Sequence, residues 1–143
     1  MTQLTEHFSL EELTHTNHRT LDNTPNEQEI ANLQRLAELL ELVKVAVGGR
    51  PVMLSSGFRS KAVNDAVGSK DTSQHRLGAA CDIRVPGMTP DAVVRAILAA
   101  QLPFDQIIRE FDAWTHISVP NSAALKPRRQ ALIIDRNGTR AFA

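Results

Sequence analysis

Residues 26–49 carry the most regular pattern in the sequence, and that pattern predicts a core helix. Asn26, with Glu29 three residues later, is typical of a capping box at a helix N-terminus. The pair Gly48-Gly49 predicts the end of the helix, because glycine readily adopts the left-handed backbone that terminates helices. Between these signals, apolar residues recur at helical spacing: Ile30, Leu33, Leu36, Ala37, Leu40, Val43 and Val47.

Shorter elements are predicted on both sides of this helix. Capping signals indicate a short helix after Ser9, a second over 61–67, and a third from Thr89 to about Gln101. Residues 15–25 are polar and indicate an ordered surface loop. Apolar and β-branched runs predict strands over 51–54, 79–85, 105–111, 114–119 and 130–135, with Asn137-Gly138 turning into a last strand over 139–142. This order predicts a single α+β domain spanning 1–143, with a mainly antiparallel sheet and helices packed on one side.

Composition excludes several classes of protein. The chain has 143 residues, and its 16 basic side chains balance 16 acidic ones, so we expect no nucleic-acid or membrane partner. A lone cysteine, Cys81, excludes an internal disulfide and a cysteine-based zinc site. The N-terminus lacks a basic start and a long apolar run, which predicts synthesis in the cytoplasm without a signal peptide. We expect a monomer, although the sequence leaves the oligomeric state open.

Two segments combine residue types that bind metals. His75 precedes Asp82 by seven positions, and Asp82 lies on a predicted strand where alternation puts it opposite the face of Cys81. On the strand over 114–119, alternation puts Trp114 and His116 on one face. Two histidines and one carboxylate would leave a coordination position open for water, as in catalytic rather than structural zinc sites.

The same ligand set also occurs in non-haem iron oxygenases, which are a rival class. The close His-x-Asp spacing of those enzymes is absent here, because six residues separate His75 from Asp82. A second alternative is a non-catalytic zinc-binding module that binds cell-wall peptide or a protein partner. The acids Glu110 and Asp112, which precede His116, favour an enzyme, because a general base would be needed near the metal.

Several motifs resemble the zinc D-Ala-D-Ala carboxypeptidase family, which includes phage peptidoglycan endopeptidases and shares its fold with the Hedgehog signalling domain. The pattern Ser73-x-His75-x-x-Gly78-x-Ala80-x-Asp82 is similar to the zinc signature of that family. The segments over 56–60, Ser-Gly-Phe-Arg-Ser, and over 114–116, Trp-Thr-His, match two further motifs. The segments over 6–12 and 23–25 are similar to a phage or prophage branch, so the resemblance extends from about residue 5 to 120.

By position, the resemblance implies that His75, Asp82 and His116 bind one zinc ion. It implies that Glu110 is the general base, with Asp112 as the alternative, because members of the family differ in the spacing of this acid. The resemblance further implies that Arg59 binds a carboxylate of the substrate or the oxyanion, and that Ser73 and Trp114 contact the substrate.

The implied function is hydrolysis of peptide bonds in peptidoglycan stem peptides by zinc-activated water. The enzyme would be a D,D-carboxypeptidase or an endolysin-type endopeptidase that degrades the bacterial cell wall. Its implied partner is the peptidoglycan peptide, and the implied origin is a phage or prophage expressed in the bacterial cytoplasm. Which peptide bond is cleaved, and whether the protein acts in lysis, in a virion or in host wall remodelling, stays open.

Overall fold

The computed structural model describes residues 2–143, in which four helices, one 3-10 turn and six strands form. The helices are α1 (Leu10–Thr14), α2 (Glu27–Ala46), α3 (Lys61–Ala66) and α4 (Pro90–Ala99), and the 3-10 turn is Gln74–Leu77. The strands are β1 (Met53–Ser56), β2 (Ala80–Arg84), β3 (Gln106–Glu110), β4 (Trp114–Ser118), β5 (Gln130–Asp135) and β6 (Gly138–Ala141).

Capping interactions define the helix starts that the sequence predicts. The Ser9 and Asn26 side chains each accept a hydrogen bond from the backbone three residues on, and the Glu12 and Glu29 carboxylates complete both capping boxes. At the start of helix α4 the Thr89 side chain accepts a hydrogen bond from the backbone N–H of Ala92, and a proline lies in the first turn. These three predictions are confirmed.

The six strands form one sheet in the order β1-β2-β4-β3-β5-β6. Neighbouring strands are antiparallel except for β3 and β5, which are parallel. The prediction of an α+β fold with a mainly antiparallel sheet is therefore confirmed. The sequence patterns do not predict the parallel pair, which forms because residues 119–129 carry the chain past β3 before β5 begins.

Strand β1 begins later than the predicted run over 51–54. Pro51 has no backbone N–H to donate to a neighbouring strand, and the pairing with β2 runs instead from Met53 to Ser56, with an irregularity at Ser55. This shift extends the strand to Ser56, next to the segment that carries Arg59. The pairing also leaves β1 at one edge of the sheet.

One face of the sheet contributes to the apolar core. Cys81 and Ile117 are paired in register and fully buried. They belong to a cluster with apolar side chains from α2 and α4, among them Leu36, Leu40 and Ile97. Burial of these side chains from water stabilises the sheet that holds the functional residues. None of the helices within residues 2–143 is long and apolar enough to cross a membrane.

Candidate active site

The three predicted metal ligands lie together on the sheet face opposite the apolar core. Asp82 on β2 and His116 on β4 are direct cross-strand partners. His75 approaches them from the 3-10 turn that precedes β2. One ligand atom from each residue lies within 4.8 Å of the other two, and all three residues are buried. The structure thus brings together residues that are 34 and 41 positions apart in the chain.

Local backbone interactions place His75 at the cluster. The Ser73 hydroxyl accepts a hydrogen bond from the backbone N–H of His75 at 3.2 Å, which begins the 3-10 turn. Gly78 ends it in the left-handed conformation, with φ of 73°. A Cβ at Gly78 would lie 2.7 Å from the carbonyl oxygen of Glu29, so glycine allows the turn to pack directly on α2.

Hydrogen bonding fixes which nitrogen of His75 faces the cluster. Nδ1 lies 2.7 Å from the carbonyl oxygen of Gly57, which can only accept, so Nδ1 carries the proton. Nε2 then presents a lone pair at 3.5 Å from Oδ1 of Asp82. The same Oδ1 lies 3.3 Å from Nδ1 of His116. A metal ion between these atoms would accept the lone pairs of the imidazole and the carboxylate together, so the arrangement fits a metal ion.

The charge state of Asp82 also suits a metal ligand. Burial by itself raises the pKa of this carboxyl, but the adjacent His116 and His75 side chains outweigh that effect and hold the pKa well below its usual range. Asp82 is therefore ionised at neutral pH. Two imidazoles and one carboxylate are donors that zinc accepts, and three protein ligands leave a coordination position for water.

Arg59 lies beside the cluster. Its Nη2 is 3.7 Å from Oδ2 of Asp82, and its Nε donates to the Ser56 hydroxyl at 3.2 Å. The Arg59 backbone N–H donates to the carbonyl oxygen of His75 at 2.9 Å, which joins this segment to the 3-10 turn. Burial lowers the pKa of the guanidinium, while the Asp82 and Glu110 carboxylates oppose that change. Arginine keeps its charge at neutral pH even so.

Glu110 lies at the end of β3, directly opposite Trp114 on β4. Two positions further along the same strands, Ile108 pairs with His116. Because side chains alternate between faces, Glu110 shares a face with His116. Burial raises the pKa of the Glu110 carboxyl, and the nearby Asp82 carboxylate adds to the rise, while the His116, Arg59 and Trp114 side chains oppose it. A partly buried carboxylate beside these groups is a candidate for proton transfer in this site.

Asp112, the alternative base, is placed differently. It lies in the β3–β4 turn, where its Oδ1 is 3.2 Å from Nε of Arg109 and its side chain is 75% exposed. Phe111 and Asp112 both adopt positive φ, near 50°, a conformation that is costly for a bulky residue such as phenylalanine. The Asp112 carboxylate is thus engaged by Arg109, whereas Glu110 is partly buried and affected by the charges of the cluster.

Two clefts lie near this end of the sheet, and neither is lined by His75, Asp82 or His116. One, of about 240 Å³, is lined by Arg59 and Ser56 and by His15 and His18 of the loop over 15–25. The other, of about 570 Å³, is lined by Trp114, by Ile83 and Thr115 of the core-side face, and by the start of α4. Trp114 Nε1 is buried without a hydrogen-bond partner among residues 2–143.

Sequence reasoning missed two groups that hold the cluster. One is the carbonyl of Gly57, which lies inside the Ser-Gly-Phe-Arg motif but contributes no side chain. The other is the side chain of Gln74, which lies inside the zinc-like signature at a position that the signature leaves unspecified. Its amide nitrogen lies 3.0 Å from Oδ2 of Asp105, a buried residue that no motif singles out.

Comparison with known families gives an independent finding. The family model described as Peptidase M15 matches residues 6–118, a range that includes the cluster, Arg59 and Glu110. No curated protein gives a significant match. Peptidases of this family are zinc-dependent, and the buried group of His75, Asp82 and His116 is compatible with that requirement. Since the matched range spans most of the sequence, the chain belongs to the Peptidase M15 family.

Proposed function

We propose that this peptidase hydrolyses peptide bonds in peptidoglycan stem peptides, and that His75, Asp82 and His116 bind its zinc ion. The observation that carries the proposal is the buried cluster of these three residues, with Arg59 and Glu110 as charged neighbours. A bound zinc ion supplies Lewis-acid chemistry, because it polarises a carbonyl group and lowers the pKa of water toward 7.

Glu110 acts as the general base in this proposal. Its carboxylate takes a proton from the attacking water and later delivers a proton to the leaving amine. The raised pKa of Glu110 suits both steps, because proton transfer is most efficient when the pKa of the catalytic group is close to the working pH.

Arg59 holds a carboxylate of the substrate or the oxyanion that develops at the scissile carbonyl. The guanidinium keeps its charge and can form two parallel hydrogen bonds with a carboxylate. The cleft of about 240 Å³ beside Arg59 offers room for the part of the peptide that carries this group. Trp114, which shares a sheet face with Glu110 and His116, contacts the peptide, and Ser73 orients His75 through its backbone.

Mass spectrometry of purified muropeptides tests the proposal. The protein is loaded with zinc and incubated with the muropeptides, beside a chelator-treated sample. Loss of one alanine identifies a D,D-carboxypeptidase, and cleavage within the stem or the bridge identifies an endopeptidase. If fully metallated protein cleaves no muropeptide, the proposal fails in favour of a non-catalytic zinc-binding module.

A variant of Glu110 tests the role of the base. Glu110→Gln keeps the size of the side chain and is expected to bind zinc as the wild type does, while kcat falls by about 10²–10⁴-fold. Asp112→Asn is the matched control and is expected to retain activity. Full turnover by Glu110→Gln together with loss of turnover by Asp112→Asn would reassign the base to Asp112.

The phage or prophage origin, a site of action in the bacterial cell wall and a monomeric state belong to the same proposal. The origin and the site of action rest on the resemblance of the motifs over 6–12 and 23–25 and on the peptide substrate. Cell lysis after expression together with a membrane-permeabilising protein would support them. The mass of the protein in solution, measured by light scattering, tests the monomer.

A further inference from the structure

A buried carboxylate outside the metal cluster joins three separate segments of the chain. Asp105 immediately precedes β3, and its side chain is 5% exposed. Its Oδ1 accepts a hydrogen bond from the backbone N–H of Arg128 at 3.0 Å. The Arg128 guanidinium binds the same carboxylate through Nε and through Nη2, the latter at 2.7 Å. The backbone carbonyl oxygen of Asp105 accepts from the N–H of Gln130, where β5 begins.

The other oxygen of this carboxylate holds Gln74, the residue directly before His75. The Gln74 amide nitrogen donates to Oδ2 of Asp105 at 3.0 Å, and it also lies 3.1 Å from the carbonyl oxygen of Val119 and 2.8 Å from Oδ1 of Asn121. These three acceptors surround one amide group, which has two hydrogens. Both hydrogens of the amide nitrogen are therefore engaged in fixing the first residue of the 3-10 turn.

The end of the same turn is held from helix α2. The Asn32 side chain, which is buried, donates to the carbonyl oxygen of Leu77 at 2.8 Å. Arg35 donates to Oδ1 of Asn32 and to the carbonyl oxygen of Pro120, both at 2.7 Å. The turn that carries His75 is thus anchored at both ends by polar side chains in addition to its own backbone bonds.

We infer that Gln74 is a positioning residue for His75, and that Asp105 and Arg128 hold Gln74 in place. Arg128 lies beyond residues 6–118, the range matched by the family model, so this link lets the C-terminal part of the chain set the geometry of the metal cluster. Groups that orient the ligands of a metal typically change its affinity by about 10–100-fold when they are removed. The inference rests on the proposed function, because it takes His75 as a zinc ligand.

The experiment compares zinc binding in variants that cut the link at different points. Gln74→Met keeps the length of the side chain but removes the amide, and Arg128→Met removes the guanidinium that fixes Asp105. Gln106→Met is the matched control, because Gln106 also donates an amide hydrogen bond, to Gln130 at 2.8 Å, but does not contact the turn. Arg128→Lys keeps the charge without the paired hydrogen bonds.

Three measurements are made on each purified protein. They are the zinc Kd by competition with a chromophoric chelator at pH 7, the visible absorption spectrum of the cobalt-substituted protein, and the melting temperature without metal. Gln74→Met and Arg128→Met are expected to weaken zinc binding by about 10-fold or more and to alter the cobalt spectrum. Gln106→Met is expected to match the wild type in both, and Arg128→Lys to fall between.

Two results would overturn the inference. In one, the zinc Kd and cobalt spectrum of Gln74→Met equal those of the wild type. In the other, all variants, including Gln106→Met, weaken zinc binding in proportion to their loss of melting temperature, which would indicate general destabilisation. If the wild type itself binds no zinc, the proposed function fails first, so the two failures are distinguishable.

Discussion

Nδ1 of His75 donates a hydrogen bond to the carbonyl oxygen of Gly57 at 2.7 Å, so a residue without a side chain sets the orientation of a metal-binding ring. Gly57 is itself fixed from the other side, because Phe58 donates its N–H to the carbonyl oxygen of Leu13 at 2.8 Å. Helix α1, the segment after β1 and the metal cluster therefore form one connected unit.

A side chain at position 57 is expected to disturb this unit. A Cβ there would overlap the carbonyl oxygen of Leu13, so Gly57→Ala has to shift the carbonyl that holds His75. We expect the free energy of unfolding to fall by about 1–3 kcal/mol, as overpacking usually causes, and zinc affinity to fall by about tenfold or more. Urea unfolding and chelator competition measure the two quantities.

Gly68→Ala is the control for this variant. Gly68 has a φ of 74°, and a methyl group there would meet no other atom within 4 Å, so alanine is strained at this position without touching the cluster. The variant is expected to lose stability and keep its zinc affinity. A Gly57→Ala protein that binds zinc as tightly as Gly68→Ala would contradict the role of the carbonyl.

Replacing Asp82 by asparagine is expected to remove the stabilisation of the fold by zinc. A ligand that binds the folded state stabilises it by about 4 kcal/mol when its concentration is 1,000 times its Kd. The wild type and Asp112→Asn should therefore melt at higher temperature with zinc than with a chelator, whereas Asp82→Asn should show little difference. Calorimetric scans with and without zinc measure the effect, and equal zinc stabilisation of all three proteins would exclude Asp82 as a ligand.

The acidic limb of the pH dependence of kcat/KM is expected to reflect the ionisation of Glu110. As a base, Glu110 must be ionised, so kcat/KM rises as the pH increases through its pKa, which burial raises. The positive charge of Arg59 lowers this pKa, and Arg59→Met should therefore move the limb to higher pH. Arg109→Met serves as the comparison, since Arg109 pairs with Asp91 and Asp112 instead. An acidic limb at the same pH in the Arg59 variant would show that Glu110 does not control it.

The backbone of the turn between β3 and β4 is expected to be strained, so that a substitution that relieves the strain should stabilise the fold. Phe111 has a φ of 52° and its side chain is exposed, so the ring contributes little burial against the conformational cost. Asparagine tolerates this backbone better, and Phe111→Asn should raise the free energy of unfolding by about 1 kcal/mol. Phe111→Leu removes the ring but keeps a bulky Cβ substituent, and no gain is expected from it. An equal gain in both variants in urea unfolding would assign the effect to the exposed ring.

The pair of Asp105 and Arg128 is expected to stabilise the fold at neutral pH and not in strong acid. Burial raises the pKa of Asp105, but the hydrogen bonds from Arg128 and Gln74 outweigh it and lower the pKa. A lowered folded-state pKa contributes stability above the unfolded value of about 3.9, and that stability is lost as the pH falls through the folded pKa.

Arg128→Met should therefore cost about 1–3 kcal/mol at pH 7, the usual range for a hydrogen bond to a buried charged group. The difference from the wild type should shrink as the pH is lowered below the ordinary range of aspartate. Arg140→Met, which breaks a pair with Asp135, should cost less because that carboxylate is less buried than Asp105 and water screens the pair more. A difference between wild type and Arg128→Met that stays constant down to low pH would contradict the ionic origin of the effect.

The sequence patterns predict the parts of the fold that follow from local periodicity and capping. Helix α2 with its capping box, the hairpin of β3 and β4 and the strand over 130–135 all form at the predicted positions. Alternation along β2 and β4 also correctly separates Cys81 and Ile117 in the core from Asp82 and His116 on the other face.

The supporting contacts could not be predicted, because they join loop residues that carry no periodic signal. The bond from His75 to Gly57 spans 18 positions, and the bond from Gln74 to Asp105 spans 31. Both depend on how the segments outside the strands pack, and this packing is determined by the assembled sheet. For the same reason, the parallel pairing of β3 and β5 has no counterpart in the sequence patterns.

The pairing of β2 with β4 determines the stage of folding at which the zinc ligands come together. Asp82 and His116 become neighbours when these strands pair, which closes a loop between residues 34 positions apart. Closing such a loop costs conformational entropy. In an unfolded chain, metal binding would have to offset that cost without help from strand pairing. We therefore expect zinc to enter a sheet that has already formed, so that occupancy of the site marks the chains that have completed folding.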